Sequence, residues 1–363
     1  MNSIHINLKD RSYDIMTGKN ILAGAGKLIR NLNLGPDAYI ITNPTIKKRY
    51  GAILEKSLAN AGFKSKFSQV PDSEKSKSLE TAYSVINDLA AFDFKKKACV
   101  IAFGGGVIGD LAGFVASIYK RGIPYVQIGT TLLAQVDSSI GGKTAVDLKT
   151  GKNLAGSFYQ PKLVISDVSL LDTLNLRQLR SGLAEVIKYG IIKDPGLFDY
   201  LENNCNVIAG DLLITLNMEF IISRCAGIKA KVVELDEKEK KGIRTILNFG
   251  HTIGHAIEAE GHYKTYTHGE AIALGMLVAS EIGRILGITG KDTVSRIESL
   301  IKYAGLPVKI EKMTCEDIIR THYFDKKFTG SKNKFVLIEK IGRTKIVEDI
   351  NLKIIKTAID SRI

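Results

Sequence analysis

Short apolar segments alternate with helical segments over the first half of the chain, and this alternation constrains the fold more than any other feature of the sequence. Segments of branched and aromatic residues predict short buried strands at 38–42, 98–103, 125–128 and 163–166. Helical stretches separate them, most clearly at 80–92 and 111–119. Strands joined through helices form a mostly parallel sheet with helices on its faces. The first half therefore predicts an α/β domain.

The pattern changes to helical periodicity beyond about residue 170. Helices are predicted at about 173–193, 211–233, 249–260, 269–286 and 291–304. A chain of 363 residues that is 45% hydrophobic can bury two cores. We therefore expect an α/β domain over residues 1–171 and a mostly α-helical domain over 172–363. A small hairpin formed by 335–338 and 344–347 is expected near the end.

Composition and charge limit which binding partners and which cellular compartment are expected. The net charge is +13, but the lysines are scattered in short groups without a basic tail or interleaved aromatic residues. This pattern favours a small anionic ligand and predicts no nucleic-acid partner. The four cysteines include no CxxC pair, which is typical of reduced thiols in a cytoplasm. We expect a cytoplasmic protein without a membrane partner, since the first ten residues lack a signal-like apolar run and the uncharged run at 122–136 is too short to span a bilayer.

A glycine-rich segment, Gly104 to Asp110, lies between a predicted strand and a predicted helix. Backbone N–H groups in such a turn can approach a pyrophosphate, and the helix N-terminus favours its negative charge. The spacing differs from GxGxxG, so a simple tight turn is the alternative. Asn43, Thr130 and Thr131 follow two other predicted strands, where open parallel sheets bind their ligands. Together these strand ends predict a nucleotide crevice.

Two further segments, 137–144 and 150–153, are polar and rich in glycine. They carry Lys143 and Lys152 near predicted strand ends. Lysines in such loops suit a phosphate or carboxylate ligand. Ordinary surface loops are the alternative, and the residues alone leave both open.

Four of the six histidines lie between residues 251 and 268, and three of them, His251, His255 and His268, are the candidates for a functional cluster. His251 and His255 are four residues apart, which places both on one helical face, and His268 can approach if the next helix folds back. Glu185 stands among apolar residues three positions before Lys188, so it either forms a salt bridge or binds a cation. An acid with two or three histidines and an open position suits a catalytic divalent metal. The alternative for the histidines is an ordinary core or surface location.

Six segments in this order give the chain a specific resemblance over nearly its whole length: 104–110, 127–144, 151–153, 181–190, 248–255 and 268–270. In these segments the chain resembles the sugar phosphate cyclases, and among them the 3-dehydroquinate synthase family. The segment 71–77 resembles that family's adenosine-side loop, and 325–327 resembles its late lysine motif. The resemblance implies a Rossmann-like NAD-binding domain, a mostly α-helical metal-binding domain and a homodimer.

The resemblance also implies a set of site residues. The expected ligands of Zn²⁺ or Co²⁺ are Glu185, His251 and His268, and His255 becomes a substrate or proton-transfer residue. The expected NAD contacts are Asn43, Asp72, Glu74, Lys77, Gly105, Gly106, Val107, Ile108, Gly109, Asp110, Thr130, Thr131, Asp137, Lys143, Lys152, Leu170 and Thr173. The expected catalytic and substrate residues are His255, Asn248, Lys143, Lys188, Arg121, Lys229, Arg244, Asn153 and one of Lys326 and Lys327, with Lys327 the stronger candidate.

Two positions depart from the family pattern. Gly129 stands where proline usually precedes the paired threonines, which should loosen that turn without removing a ligand. The segment 236–242 is one residue longer than the family pattern, so Arg244 aligns with that pattern more directly than Lys229 does.

The implied reaction converts 3-deoxy-D-arabino-heptulosonate 7-phosphate, a small anionic sugar phosphate, into 3-dehydroquinate and phosphate, the second step of the shikimate pathway. It combines a transient oxidation by NAD, phosphate elimination, re-reduction and an intramolecular aldol closure. Three alternatives remain: a related cyclase that acts on sedoheptulose 7-phosphate or glucose 6-phosphate, a metal-dependent alcohol or glycerol dehydrogenase, and a non-enzymatic basic binding protein.

Overall fold

The computed structural model describes every residue except 72, 94–96, 206–215 and 325–332. It divides into two compact units by their internal contacts. The first unit comprises Met1–Leu174 and Met218–Lys238. The second comprises Asn175–Asn217 and Glu239–Ile363.

The first unit is an α/β structure. Its strands are β1 Asn2–Ile6, β2 Tyr13–Gly18, β3 Asp37–Thr42, β4 Lys64–Gln69, β5 Ala98–Gly104, β6 Tyr125–Gly129, β7 Lys143–Leu148, β8 Gly151–Phe158 and β9 Leu163–Asp167. Its longer helices are α1 Ala25–Arg30, α2 Pro44–Asn60, α3 Leu79–Phe92, α4 Gly106–Ile118 and, after residues of the second unit, α7 Met218–Leu235.

A seven-stranded sheet forms the centre of this unit within the described part of the chain, in the order β1-β2-β9-β6-β5-β3-β4. β1 pairs with β2 in the antiparallel direction, and the other neighbours are parallel. Side chains alternate between the faces: Tyr39 and Ile41 pack under α3 and α4, and Ala38 and Ile40 pack under α1 and α2. The predicted α/β architecture is therefore confirmed for this unit.

Helix α7 lies in the first unit, whereas the sequence prediction assigned its residues to the helical domain. Its apolar face, with Ala226, Ala230 and Val233, packs against Ile15 of β2 and Val164 of β9. Helix α7 therefore covers the part of the sheet formed by β2 and β9. For that reason it belongs to the core of the first unit despite its place in the sequence. The first boundary lies between 174 and 175, close to the expected 171.

The glycine-rich segments around Lys143 and Lys152 form a regular element, so their description as loops was wrong. β7 and β8 are an antiparallel hairpin in which Lys143 pairs with Phe158 and Leu148 with Gly151. Alternating small and apolar residues permit the hairpin, and buried Val146 packs against the core beside α4.

The second unit is mostly helical. Its helices are α5 Leu176–Lys193, α6 Pro195–Asn204, α8 His251–Glu260, α9 His268–Ile285, α10 Lys291–Tyr303, α11 Cys315–Phe324 and α12 Leu352–Asp360. The predicted hairpin is confirmed as β10 Lys334–Lys340 and β11 Arg343–Glu348. Among the described residues, no helix combines the length and hydropathy that crossing a bilayer requires.

Candidate metal centre and nucleotide site

Three helices of the second unit carry the residues predicted to bind a metal. Glu185 lies in the middle of α5 and is fully buried. His251 is the first residue of α8, after Gly250 in the left-handed conformation with φ 78°. His268 is the first residue of α9, where Thr267 and Glu270 form a capping box that fixes where the helix begins.

Glycines let these helices approach closely. A Cβ on Gly275 of α9 would lie 2.0 Å from the carbonyl oxygen of Gly250, and one on Gly254 would lie 2.8 Å from Ile272. A Cβ on Gly269 would lie 2.0 Å from the carbonyl oxygen of Ser181 in α5. Contact at these distances excludes any side chain, so the glycines determine how close the three helices lie.

Both histidines direct the same ring nitrogen at the buried acid. The Nε2 atoms of His251 and His268 lie 3.5 Å and 3.4 Å from Oε1 of Glu185. Each Nδ1 faces an acceptor on the other side, the carbonyl of Phe249 at 3.1 Å and the carboxylate of Glu258 at 3.1 Å. Because a carbonyl and a carboxylate can only accept, each Nδ1 carries the proton in the neutral imidazole. Each Nε2 lone pair is then directed towards Glu185.

This donor set fits a divalent cation. Ligand atoms of Glu185, His251 and His268 lie within 4.8 Å of one another. Lone pairs from two imidazoles and a carboxylate oxygen repel each other unless a proton or a cation lies between them. The other oxygen of Glu185 contacts Lys188. One carboxylate can therefore form the salt bridge and bind a cation at the same time, so the two alternatives do not exclude each other. Two imidazoles and one carboxylate are typical ligands of catalytic zinc.

The pKa values of His251 and His268 are shifted in opposite directions. Burial lowers the pKa of His251 to about 3, and the neighbouring Lys188 ammonium acts in the same direction. For His268, burial lowers the pKa, but hydrogen bonds to Glu185 and Glu258 outweigh it and raise the value to about 10. In the absence of metal, a proton on His268 therefore occupies the place of the cation.

Zinc binding should consequently depend on pH. The proton of His268 must leave when a metal binds, so the apparent zinc affinity should rise about tenfold per pH unit from about pH 7 to 9. The raised pKa also stabilises the metal-free protein fully below the ordinary value of 6.5, and this stabilisation is lost as pH rises through about 10. Competition with a chelator at several pH values measures the first effect. A pH-independent affinity would contradict it.

Close packing at Gly269 predicts a large effect of a single methyl group. Gly269→Ala should lower the free energy of unfolding by about 1–3 kcal/mol and weaken zinc binding, because α9 must move away from α5. Thermal unfolding and zinc content measure both effects. Gly290→Ala is the matched control, since a Cβ there meets no atom within 4 Å. Equal effects of the two substitutions would contradict the role given to Gly269.

His255 lies beside the ligand set, as the resemblance implied. Its ring centroid is 5.2 Å from that of His251 and 6.2 Å from that of His268. In the group of ligand atoms that includes Glu185, His251 is joined by His268 and not by His255. Arg244 is buried and contacts Glu239 at 3.4 Å. Asn248 ends the short helix that contains Arg244, just before α8.

Glu258 was not among the residues predicted from the sequence. Its position seven residues after His251 was the signal that could have identified it.

The predicted nucleotide contacts gather at the carboxyl ends of the parallel strands in the first unit. β4, the next strand in the sequence after β3, lies on one side of β3, at the edge of the sheet. β5 lies on the other side of β3 and is followed there by β6, so the strand order reverses between β3 and β5. Ligands bind at such switch points in open α/β sheets. Asn43 caps α2 after β3, the glycine turn follows β5, and Thr130 follows β6.

The glycine turn leads directly into α4, which begins at Gly106, five residues earlier than predicted. Gly105 caps this helix without a side-chain hydrogen bond, so its first N–H groups can meet an anion. A Cβ on Gly106 would lie 3.2 Å from Oγ of Ser138. Within the described chain, the buried hydroxyls of Ser138 and Thr130 have no hydrogen-bond partner. These donors and the bare helix end fit the phosphates of a nucleotide; Ser138 was not among the predicted residues.

Ion pairs and one hydrogen bond join five predicted residues of this unit, and Lys77 is the buried one among them. Lys77 is 5% exposed and contacts Asp110 at 2.6 Å and the side chain of Asn153. Burial lowers the pKa of Lys77, but Asp110 outweighs it and the net shift is upward. Lys152 forms an ion pair with Glu74 at 3.1 Å. These contacts connect the segment after β4 with the N-terminal half of α4 and with the β7–β8 hairpin.

The remaining predicted residues have varied locations. Lys229 of α7 donates to the carboxylate and carbonyl of Asp137 at 2.8 Å each, which brings a predicted substrate residue to a predicted nicotinamide residue. Arg121 is exposed in a turn with φ 66°, and Lys143 is exposed at the start of β7. Leu170 is buried, and Thr173 contacts Tyr50 at 2.7 Å. Asp72, Lys326 and Lys327 lie outside the described residues.

Two models of known families together match most of the chain. The family model described as 3-dehydroquinate synthase N-terminal matches residues 67–181, and the model described as 3-dehydroquinate synthase C-terminal matches 182–328. The 3-dehydroquinate synthase of Desulforamulus reducens is 46% identical over 353 residues, covering 96% of this chain and 97% of the relative.

Solved structures of related cyclases share the fold. A 2-deoxy-scyllo-inosose synthase complexed with carbaglucose-6-phosphate, NAD⁺ and Co²⁺ matches with a TM-score of 0.90 at 25% identity and covers all of both chains. The 2-epi-5-epi-valiolone synthase of Streptomyces hygroscopicus, with NAD⁺ and Zn²⁺ bound, matches with a TM-score of 0.87 at 27% identity over 98% of each chain. With matching family models over most of its length and close full-length relatives, the chain belongs to the 3-dehydroquinate synthase family.

Proposed function

We propose that the chain converts 3-deoxy-D-arabino-heptulosonate 7-phosphate into 3-dehydroquinate and phosphate, with NAD and a divalent metal as cofactors. The observation that carries the proposal is the convergence of two imidazole Nε2 atoms on buried Glu185, beside Lys188, in a member of this family. Such a centre suits a substrate whose hydroxyl must lose a proton and whose anionic groups must be held.

The proposed metal ligands are Glu185, His251 and His268. A bound Zn²⁺ or Co²⁺ supplies Lewis acidity that lowers the pKa of a coordinated hydroxyl and polarises a carbonyl. Glu185 and the two Nδ1 hydrogen bonds hold the ligand atoms in place before a metal arrives, so little reorganisation is needed.

The proposed role of the first unit, Met1–Leu174 with Met218–Lys238, is to bind NAD, which accepts and returns a hydride without net consumption. Gly105 to Asp110, with Thr130, bind its phosphates through the bare helix N-terminus and buried hydroxyls. Asn43, Asp72, Glu74, Lys77, Thr131, Asp137, Lys143, Lys152, Leu170 and Thr173 complete the proposed set. The second unit, Asn175–Asn217 with Glu239–Ile363, is proposed to hold the metal.

Cationic side chains are proposed to bind the substrate's phosphate and carboxylate. They are Lys143, Lys188, Lys229, Arg121, Arg244 and Lys327, with Asn153 as a neutral partner. Lys188 and Arg244 are buried, so their charges act in a medium that screens them little and they position an anion firmly. His255 is proposed to transfer protons, since its ring lies beside both histidine ligands, and Asn248 to hold the ring hydroxyls.

Two other enzyme classes can each be distinguished from the proposed function by a separate measurement. Sibling cyclases share the fold but act on sugar phosphates without a carboxylate, so sedoheptulose 7-phosphate and glucose 6-phosphate should not react. Alcohol and glycerol dehydrogenases reduce NAD in net amounts, so NADH absorbance should not accumulate here.

The test measures phosphate release and formation of 3-dehydroquinate from the heptulosonate phosphate, with and without NAD and a chelator. We expect turnover that requires both cofactors, is restored by Zn²⁺ or Co²⁺, and leaves NADH constant. Turnover of a carboxylate-free sugar phosphate at a higher kcat/KM would refute the proposed substrate. We further propose a homodimer in the cytoplasm, which sedimentation and cell fractionation test.

A further inference from the structure

Glu258 makes a contact with His268 that the proposed reaction does not explain. Its Oε2 lies 3.1 Å from Nδ1 of His268, while Nε2 of the same ring lies 3.4 Å from Glu185. The imidazole is thus held between two carboxylates on opposite edges. We propose that Glu258 is a positioning residue that orients His268 for the metal, an inference that rests on the metal centre of the proposed function.

The location of Glu258 supports a dedicated role. His251, His255 and Glu258 stand at positions i, i+4 and i+7 of α8, on one face of the helix. Glu258 is 9% exposed, and the hydrogen bonds of its carboxylate in the described residues go to His268 alone. A carboxylate so far removed from water requires compensation, and His268 provides it.

His268 needs such a partner more than His251 does. Both histidines are the first residues of their helices, but the His268 side chain is 30% exposed, against 13% for His251. His251 is oriented by the carbonyl of Phe249, two residues before it in the chain. Glu258 is the equivalent acceptor for His268, and as a carboxylate it also makes the ring a stronger donor to a metal.

A second cation site is the rival explanation. His255, Glu258 and His268 also have ligand atoms within 4.8 Å of one another. In that site Nδ1 of His268 would be a metal ligand and could not carry a proton. In an orienting hydrogen bond, Nδ1 must keep its proton in order to donate to Glu258. The two explanations therefore differ in the number of metal ions bound per chain.

The experiment measures the zinc dissociation constant by chelator competition, the zinc content per chain, and the visible spectrum of the Co²⁺ form. Since the contact with Glu258 also favours the proton that competes with zinc, affinities are compared for the deprotonated site, from titrations at several pH values. On that basis Glu258→Ala should weaken zinc binding about 10–100-fold at an unchanged one ion per chain and alter the cobalt spectrum. Glu258→Gln should lose less affinity, because its amide oxygen still accepts from Nδ1, and it decides the matter if the alanine variant does not fold. Glu260→Gln is the matched control on the same helix, where the carboxylate contacts Thr321, and should bind zinc as wild type does.

Three results would overturn the inference. Zinc affinity of both Glu258 variants within about twofold of wild type would remove the role of Glu258 while leaving the metal centre intact. Two ions in wild type and one in Glu258→Ala, at unchanged affinity, would establish the second site. Wild-type protein that binds no zinc would refute the metal centre itself, and with it the corresponding part of the proposed function.

Discussion

Replacing His268 with alanine should abolish tight zinc binding and lower kcat/KM by at least about 10³-fold, because a catalytic metal contributes several kcal/mol of charge stabilisation. The ring supplies one of two Nε2 atoms that face Glu185, so its loss leaves one imidazole and one carboxylate. The affinity for NAD should not change, since the proposed nucleotide contacts lie in the first unit. Zinc content, kcat/KM and NAD titration measure the three effects.

His268 is a better position for this test than Glu185. Removal of Glu185 would leave the buried ammonium of Lys188 without its carboxylate, and a folding defect would confuse the result. His262→Asn is the control, because His262 is exposed and asparagine tolerates its φ of 49°. Full activity in zinc-free His268→Ala protein would contradict the assignment.

Sequence periodicity predicted the elements that are buried on both faces. β3 and β5 were found because nearly every residue in them is apolar and buried. β4 was missed, since Lys64–Gln69 is a half-exposed edge strand with alternating lysines, and its pattern resembles that of a loop. The start of α4 was missed because Gly106 and Gly109 have low helix propensity, and packing against the sheet compensates for it.

Contacts between distant segments were beyond the reach of spacing rules. Helical periodicity identified α7 but could not reveal that its apolar face packs on β2 and β9. Likewise, the spacing of His251 and His255 suggested a ligand pair, whereas helix crossings at Gly269 and Gly275 bring His268 to Glu185. The family resemblance supplied that pairing, because it carries three-dimensional information that local patterns lack.

Lys188→Met should have opposite effects on metal and substrate. The Lys188 side chain is 2% exposed and contacts Glu185, so its removal from metal-free protein should cost about 1.5–3 kcal/mol of stability, because the buried carboxylate loses one charged partner and keeps protonated His268. Zinc should compensate for that charge, so it should raise the unfolding temperature more in the variant than in wild type. Zinc affinity should be equal or higher, because a repelling ammonium is gone.

Substrate binding should weaken in the same variant. A charge-assisted hydrogen bond contributes about 1.5–3 kcal/mol, so kcat/KM should fall about 10–10²-fold or more. Lys193→Met on the same helix is the control, since Lys193 is exposed and should affect neither property. An unchanged kcat/KM together with lost stability would reduce Lys188 to a structural partner of Glu185. Loss of zinc would instead mean that Lys188 is needed to keep the carboxylate in place, because its positive charge can only oppose the binding of a cation.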